Sequence, residues 1–301
     1  MSVRPVKRIM SAKPTTEGAG VHLRRAFGFG DTREFDPFLL LDDFRNDNPS
    51  DYLAGFPWHP HRGIETITYV LAGTVEHADS LGNRGNLGAG DVQWMTAGSG
   101  IVHQEMPHGD PQGRMHGFQL WANLPSSLKM TAPRYQDVSG RDVPEVTDDD
   151  GTRVRVVCGD FWGVQGPVDG IAADPRYLDV SVPPGRRKTL EVETSRHAFA
   201  YVFAGSGTFR HASEPRPVAT ESVNGSIQRV PDDVGNRSLV LFDSGDEVIV
   251  QAGDEGIRFL LVSGTPIEEP VAWYGPIVMN TQAELQQAFD EMRSGTFIKK
   301  G

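Results

Sequence analysis

The sequence predicts an all-β protein made of two tandem antiparallel β-barrels, followed by a short C-terminal helix. Short apolar segments alternate with glycine turns at intervals of about ten residues, which is the pattern of a β-sandwich or barrel. The segment Tyr-Val-Leu-Ala-Gly at 69–73 returns as Tyr-Val-Phe-Ala-Gly at 201–205. Because such self-similarity indicates a duplicated unit, we predict a first barrel over residues 1–135 and a second, with the helix, over 136–301.

The first half contains the clearest strand patterns. Predicted strands cover the ranges 36–44, 64–71, 74–79, 91–96, 101–106 and 115–123. Residues 125–150 are rich in proline and acidic side chains, so we expect them to connect the two halves. Strand patterning resumes at 154–157.

The second half repeats the turns of the first with extra residues. The motif Gly-Asp-Val at 90–92 returns as Gly-Asp-Glu-Val at 245–248. The repeated motif at 69–73 recurs 132 residues later, whereas the Gly-Asp motif recurs 155 residues later. The second copy is therefore 23 residues longer between these two motifs. We expect the polar range 211–238 to hold them as an exposed loop. A capping box at 281–284 begins the C-terminal helix.

The chain is acidic, with a net charge of −11 and a pI near 5.3. Phosphate contacts require a basic face, so direct binding to nucleic acid is not expected. The single cysteine, Cys158, excludes an intramolecular disulfide and is expected to be a core residue in a reducing compartment. No secretory pattern and no apolar segment of about 18 residues is present. We therefore expect a cytoplasmic protein without membrane contact, and a monomer.

Two pairs of polar residues predict a metal site in the first barrel. His59 and His61 are two residues apart, as are His103 and Glu105, and side chains at that spacing share one face of a strand. If the two strands are neighbours, the four side chains converge inside the barrel. Three imidazoles and a carboxylate suit Fe(II), Mn, Ni, Cu or Zn. Glu65 is an even number of residues from His59 and His61, so it points to the same face as these histidines if the strand continues regularly through residue 65.

The second copy lacks these ligands at the positions that correspond to them in the two repeated motifs. A shift of 132 residues places Glu191 and Glu193 at the positions of the first histidine pair, and a shift of 155 places Arg258 and Leu260 at the second pair. Turn residues repeat and histidines do not. We therefore expect one metal, in the first barrel only.

The chain resembles the pirin family of the cupin superfamily almost from end to end. The resemblance is carried by Asp-Pro-Phe-Leu-Leu at 36–40, Gly-Phe-Pro at 55–57, His-Pro-His-Arg-Gly at 59–63, Glu-Thr at 65–66, Gly-Asp at 90–91, Gln-Trp-Met-Thr-Ala-Gly at 93–98, His103, Glu-Met-Pro at 105–107, His-Gly at 116–117, Gln-Leu-Trp at 119–121, Tyr-Gly-Pro at 274–276 and Val-Met-Asn-Thr at 278–281. Thr96 departs from the common cupin pattern, where a proline is usual.

The resemblance implies a bicupin with one mononuclear iron in the first barrel. The family's ligands carry over onto His59, His61, His103 and Glu105. Fe(II) is the expected metal, with Mn, Ni, Cu or Zn as possible substitutes. Many other cupins use the glutamate at the position of Glu65, which the resemblance to pirins instead makes a neighbour of the site.

Two functions follow from the resemblance. In the first, the protein is a quercetin 2,3-dioxygenase-like enzyme that opens a flavonol ring between C2 and C3 with dioxygen and releases carbon monoxide. Glu105 would then be both ligand and base. In the second, the metal's redox state controls binding to a protein partner, such as a transcription factor or a metabolic enzyme. His116, Gln119, Phe56 and Met95 are candidate residues around the site.

Overall fold

Strands form most of the computed structural model, which describes residues 2–209 and 233–299. The all-β prediction is confirmed. The first half contains β1 (Val6–Ser11), β2 (Lys13–Glu17), β3 (Val21–Phe27), α1 (Thr32–Phe35), β4 (Phe38–Asp43), β5 (Phe56–His61), β6 (Ile64–Ala72), β7 (Thr74–Asp79), β8 (Arg84–Leu87), β9 (Val92–Thr96), β10 (Ile101–His108), β11 (His116–Asn123) and β12 (Arg134–Val138). The six predicted strands are present, whereas β8 was missed, and the range 125–150, expected to be a connection, contains β12 and a further strand at 145–147.

The second half continues the β architecture. It contains β13 (Glu145–Thr147), β14 (Arg153–Cys158), β15 (Asp160–Phe161), β16 (Val164–Gln165), β17 (Arg176–Val182), β18 (Arg187–Glu191), β19 (His197–Phe209), β20 (Val234–Gly235), β21 (Ser238–Phe242), β22 (Glu247–Gly264), β23 (Ala272–Tyr274), β24 (Ile277–Met279) and α2 (Gln282–Ser294). Most of the loop expected at 211–238 lies outside the described residues. Neither α1 nor α2 is long and apolar enough to cross a membrane.

The first barrel is built from two sheets. One has the order β12-β9-β6-β11-β4-β3-β2, and the other has the order β5-β10-β7-β8. The second barrel's main sheet runs β1-β21-β19-β22-β17-β14-β13, with β18 paired to β22. All named pairings are antiparallel.

Both ends of the chain cross between the two halves. Strand β1 pairs with β21 of the second barrel, while a bridge joins Arg62 of the first half to Ile277. The helix α2 and strands β23 and β24 share a core cluster with Val102, which lies on β10. The predicted boundary between residues 135 and 136 falls inside β12, which pairs with β9 of the first barrel. The strand pairing therefore differs from the division at residue 135 in three respects: β1 pairs with the second barrel, the C-terminal segment packs on the first, and β12 spans the boundary.

A single apolar core joins the two barrels. It contains alternate residues of β6 and β11, such as Ile67 and Phe118, together with Tyr177, Phe199 and Leu260 from the second half. Cys158 is buried in the same cluster, and burial raises the pKa of its thiol to about 12. The thiol donates a hydrogen bond to the carbonyl of Val168, 3.5 Å away, so its expected role as a core residue agrees with its surroundings.

Two equivalent hydrogen-bonded groups fasten the barrels together. The hydroxyl of Tyr69 donates to Asp179 across the interface at 2.8 Å, and Arg258 holds the same carboxylate through Nε at 2.9 Å and Nη2 at 2.6 Å. In the reverse direction, Tyr201 donates to Asp43 at 2.8 Å.

The second group is completed by Arg45, whose Nε donates to Asp43 at 2.8 Å. The strand register shows that the two tyrosine–aspartate pairs are duplicates, although the two arginines come from non-equivalent positions. Phe118 lies opposite both Asp43 and Tyr69, just as Leu260 lies opposite both Asp179 and Tyr201. The duplication therefore also repeats the contacts that join its two copies.

The same register corrects the predicted correspondence between the second ligand pair, His103 and Glu105, and the residues 155 positions later. Leu260 corresponds to Phe118 on β11, so Arg258 and Leu260 are not the counterparts of His103 and Glu105. Strand β10 pairs with β5 and β7, and its counterpart is the first part of β22, which pairs with β18 and the end of β19.

The interior positions of that second-barrel region are apolar. Val248 and Val250 on β22 pack with Leu190 of β18 in the core of the second barrel. The exposed Glu191, at which the offset places a ligand, lies beside this core. The second barrel therefore replaces the expected ligand positions with aliphatic side chains, a stronger loss than the offset comparison implied.

A tight turn separates β5 from β6. Gly63 has a φ of +76°, and a Cβ at this position would lie 1.9 Å from the carbonyl oxygen of Val278. Arg62 donates to the carbonyls of Ser99 at 2.7 Å and Phe297 at 2.8 Å, and Lys129 donates to the Gly63 carbonyl at 2.8 Å. The turn is thus held between the first barrel and the C-terminal segment.

Replacing Gly63 with Ala should be more destabilising than the same change at Gly82. Both glycines have positive φ, which costs a residue with a Cβ about 1–2 kcal/mol, but nothing lies within 4 Å of a Cβ at Gly82. Urea unfolding of Gly63→Ala and Gly82→Ala would measure the difference. Equal unfolding midpoints would show that the close approach to Val278 does not constrain the turn.

Removing either interface hydroxyl should destabilise the protein. A hydrogen bond to a charged group contributes about 1.5–3 kcal/mol, so Tyr69→Phe and Tyr201→Phe should each lower the free energy of unfolding by about that amount. Tyr177→Phe is the matched control, because its buried hydroxyl has no hydrogen-bond partner among the described residues. Chemical denaturation of the three variants tests this, and a loss for Tyr177→Phe as large as for the other two would contradict it.

Candidate metal centre

Three histidines meet inside the first barrel. His59 and His61 lie on β5, and His103 lies opposite His59 on the paired strand β10. One ligand nitrogen from each ring lies within 4.8 Å of the others, and the ring centroids are 4.4 to 5.0 Å apart. His61 and His103 are buried, whereas His59 is partly exposed. The predicted convergence of the two motifs therefore occurs for their histidines.

Backbone carbonyls orient two of the rings. Nδ1 of His59 donates to the carbonyl of Pro57 at 2.8 Å, and Nδ1 of His61 donates to the carbonyl of Pro276 at 3.3 Å. A carbonyl can only accept, so each Nδ1 carries the proton and each Nε2 keeps a free lone pair. This is the arrangement in which a second group fixes the tautomer of a metal-binding histidine. Pro276 belongs to the C-terminal segment.

The third ring carries the clearest sign that a ligand fits here. Both nitrogens of His103 are buried, and neither has a hydrogen-bond partner among the described residues. An unsatisfied buried polar group costs about 1–3 kcal/mol, and a metal bound to Nε2 would remove part of that cost. The donor set of imidazoles suits a first-row transition metal.

The electrostatics keep the cluster in its metal-binding form. Burial lowers the pKa of His61 well below its usual range, and the neighbouring rings of His59 and His103 lower it further. Burial also lowers the pKa of His103, with smaller contributions from His59 and His77. Both imidazoles are therefore neutral near pH 7, and a neutral imidazole is the form that binds a metal.

Glu105 lies beside the cluster. It is buried on β10, its Oε1 accepts a hydrogen bond from the Thr68 hydroxyl at 3.3 Å, and it lines the same cavity as His59 and His61. Among the described residues, the three histidines have ligand atoms within 4.8 Å of one another, and Glu105 does not belong to this group. Its assignment as the fourth ligand stays a prediction.

Glu65 lies on the opposite face of its strand from the cavity, so the expectation that it neighbours the site is wrong. Its Oε1 accepts a hydrogen bond from Thr96 at 2.7 Å, and it alternates along β6 with Thr66 and Thr68, the second of which contacts Glu105. Burial raises the pKa of its carboxyl group. Glu65 does not share the strand face of His59 and His61 because the turn at Gly63 interrupts the strand between them.

The cluster opens onto a cavity of about 490 Å³. Its lining residues are Glu17, Gly18, Ala19, Arg25, Phe29, Leu40, Asp42, Phe56, Pro57, His59, His61, Glu105, Gln119, Trp121, Trp273, Gly275 and Pro276. Such a volume is typical of a small-molecule site, and the walls combine eight aromatic or aliphatic residues with seven polar or charged ones. The cavity can therefore hold an apolar ring system next to the histidines.

The candidate residues around the site divide into two groups. Phe56 and Gln119 line the cavity. His116 instead contacts Asp47 at 2.6 Å. Met95 packs in an apolar cluster behind the cavity residues Trp121 and Trp273. Sequence reasoning missed Trp273, because nothing in the order of the strands indicates that the C-terminal segment returns to the first barrel.

Comparison with known proteins supports the family assignment made from the motifs. The profile of the Pirin family matches residues 20–122, and that of the Pirin C-terminal cupin domain matches residues 177–298. A Pirin-like protein of Caulobacter vibrioides is 45% identical over 99% of this chain and 100% of its own length. A Pseudomonas aeruginosa protein named "Putative quercetin 2,3-dioxygenase" is 40% identical over 97% of each chain.

Solved structures agree with the profiles. The crystal structure of quercetin 2,3-dioxygenase from Acinetobacter baumannii has 28% sequence identity to this chain and superposes with a TM-score of 0.84, covering 98% of this chain and 99% of its own. The two matched profiles, the long relatives and the two-barrel architecture agree with one another. The chain belongs to the pirin family and is a bicupin.

Proposed function

We propose that this pirin is a mononuclear iron-dependent dioxygenase that opens the ring of a flavonol such as quercetin. The observation that carries the proposal is a three-histidine cluster, with both nitrogens of His103 unpartnered among the described residues, that opens onto a cavity of about 490 Å³ lined by aromatic and polar side chains. The names of the Pseudomonas aeruginosa relative and the Acinetobacter baumannii structure support the choice of reaction.

In this proposal, His59, His61, His103 and Glu105 hold one metal ion. Fe(II) is the proposed metal, and Mn, Ni, Cu or Zn could bind the same nitrogen and oxygen donors. Bound iron would supply the redox chemistry of the reaction with dioxygen and would lower the pKa of a coordinated hydroxyl group. The second barrel has aliphatic side chains at Leu190, Val248 and Val250, so one metal per chain is expected.

The apolar walls would hold the substrate's rings. Phe56, Trp121 and Trp273 line the cavity around the histidines, and Trp121 also contacts His61 with ring centroids 5.0 Å apart. Aromatic side chains bury a large flat surface, which favours a planar aromatic ligand over a flexible one. These residues would also exclude water from the reacting carbons.

Glu105 would act as the base. Its Oε1 accepts a hydrogen bond from Thr68, and the residue lines the cavity that a substrate would enter. A carboxylate in this position can take the proton of the flavonol 3-hydroxyl group. That step would leave the oxygen negatively charged and ready to bind the metal.

A regulatory function is the second candidate. Phe29 and Tyr274 are 69% and 68% exposed, and Phe29 lines the cavity while Gly275 beside Tyr274 does the same. Large exposed aromatic side chains at a cavity mouth suit either an aromatic ligand or a protein partner. Turnover of a flavonol separates the two functions, because the regulatory one does not require it.

The protein should bind close to one transition metal per chain. Replacing His61 with Ala removes a buried nitrogen from the cluster and should abolish binding, whereas His116→Ala, outside the cavity, should keep it. Elemental analysis of tag-free protein purified and reloaded with iron tests both variants. A content near two metals per chain would contradict the assignment of a single site to the first barrel.

The wild type, loaded with iron under argon and then exposed to air, should consume quercetin and release carbon monoxide. Glu105→Gln keeps the size of the side chain but removes the base, so turnover should fall by about 10²-fold or more while metal remains bound. Glu65→Gln is the matched control and should retain turnover, because Glu65 faces away from the cavity.

Flavonol absorbance and metal content should be followed side by side in the three proteins. Absence of turnover by the iron-loaded wild type would count against the dioxygenase and favour the regulatory function. Full activity of Glu105→Gln combined with metal loss in Glu65→Gln would show that the wrong carboxylate had been chosen.

A further inference from the structure

A row of polar side chains crosses the inner face of the first barrel. Arg25 lies opposite Asp42, Asp42 opposite Gln119, Gln119 opposite Thr68, and Thr68 opposite Gln93. Directly opposed residues of antiparallel strands point to the same face of the sheet. The row therefore runs across β3, β4, β11, β6 and β9, and the metal-binding function proposed above does not explain its outer half.

The outer end of the row is an ion cluster on the cavity wall. Arg25 donates through Nε to one Asp42 oxygen at 2.8 Å and through Nη2 to the other at 2.7 Å, while its Nη1 lies 2.9 Å from Glu17. All three side chains line the cavity. One guanidinium thus faces two carboxylates, so the cluster has a surplus of acceptors.

Asp42 retains capacity to accept another hydrogen bond. Each carboxylate oxygen has two lone pairs, and Arg25 uses one on each. Burial raises the pKa of the Asp42 carboxyl to about 6, with Arg25 acting in the opposite direction. The group is therefore ionised near pH 7 and can form a charge-assisted bond with a ligand hydroxyl.

Gln119 offers the next polar group along the row. It lines the cavity, and within the described residues its amide forms no hydrogen bond. The following residue of the row is Thr68, which donates a hydrogen bond to Glu105. The cavity therefore has the polar groups Asp42, Gln119 and Glu105 beside the apolar Leu40 and Trp121.

The spacing of the strands sets the length of a ligand that reaches both Thr68 and Asp42. Asp42 and Thr68 are two strands apart, which corresponds to about 10 Å. A single aromatic ring is too short to reach from Thr68, beside Glu105, to Asp42. A ligand of two or three linked rings is long enough.

We propose that Asp42, positioned by Arg25, and its neighbour Gln119 form a specificity subsite for a hydroxyl group of an elongated aromatic substrate, with Asp42 at the end farther from Glu105. The inference rests on the proposed dioxygenase function for the identity of the reacting end. It selects a substrate class, namely neutral polyphenols that carry a ring hydroxyl far from the 3-hydroxyl group. Flavonols without ring hydroxyls fit the apolar walls but leave the subsite unused.

The test compares quercetin with 3-hydroxyflavone, which lacks the other ring hydroxyls. Binding to iron-loaded protein is measured by calorimetry under argon, where no turnover occurs. Asp42→Asn keeps the shape and removes the charge, so quercetin affinity should fall by about ten- to a hundred-fold while 3-hydroxyflavone affinity stays unchanged. Asp142→Asn, which changes an exposed carboxylate, is the control.

Gln119→Leu provides a second variant in case Asp42→Asn disturbs Arg25 and the fold. It should also weaken quercetin selectively, because it removes an amide that has no described protein partner. Equal losses for both flavonols, or no loss in either variant, would overturn the subsite, as would a wild type that does not bind quercetin. Selective binding without turnover in air would instead overturn the proposed reaction and leave the subsite in place.

Discussion

A sheet buried on both faces is the constraint on which the site and the interface both depend. Successive residues of β6 and β11, and of β4 from Leu40 onward, point alternately to the interior of the first barrel and to the second barrel. Asp42 faces the cavity and Asp43 faces Tyr201 of the second barrel, and Gln119 and Phe118 divide in the same way. A slip of one residue in register would therefore exchange the whole set of cavity residues for the set that joins the barrels.

The turn at Arg62 and Gly63 resets this alternation between β5 and β6. It allows β5 to present His59 and His61 to the cavity while β6 turns Glu65 toward the interface. The turn depends on the C-terminal segment, which approaches Gly63 closely and also supplies the carbonyl of Pro276 to His61. The most distant part of the chain thus completes the site that the first barrel begins.

Much of the fold could be predicted from the sequence because its signals are local. Strand boundaries follow glycine turns and alternating side chains, and two histidine motifs at the same spacing were enough to bring His103 together with the first pair. The errors concern relations between distant parts. The parity of Glu65 was lost at a turn whose shape depends on Val278, and the register of β22 could not be derived from a repeated Gly-Asp pair. The return of Trp273 to the cavity has no local signal.

The central claim is that the first barrel holds one metal through three histidines and Glu105. Anomalous X-ray diffraction from crystals grown with iron under argon, with data on both sides of the iron absorption edge, tests it most directly. We expect one anomalous peak per chain, at about 2.0–2.2 Å from one nitrogen of each histidine and from a Glu105 oxygen, with Thr68 still beside that carboxylate. A peak bound by the histidines while Glu105 stays out of reach would contradict the four-ligand site, and a second peak inside the other barrel would contradict the assignment of a single metal.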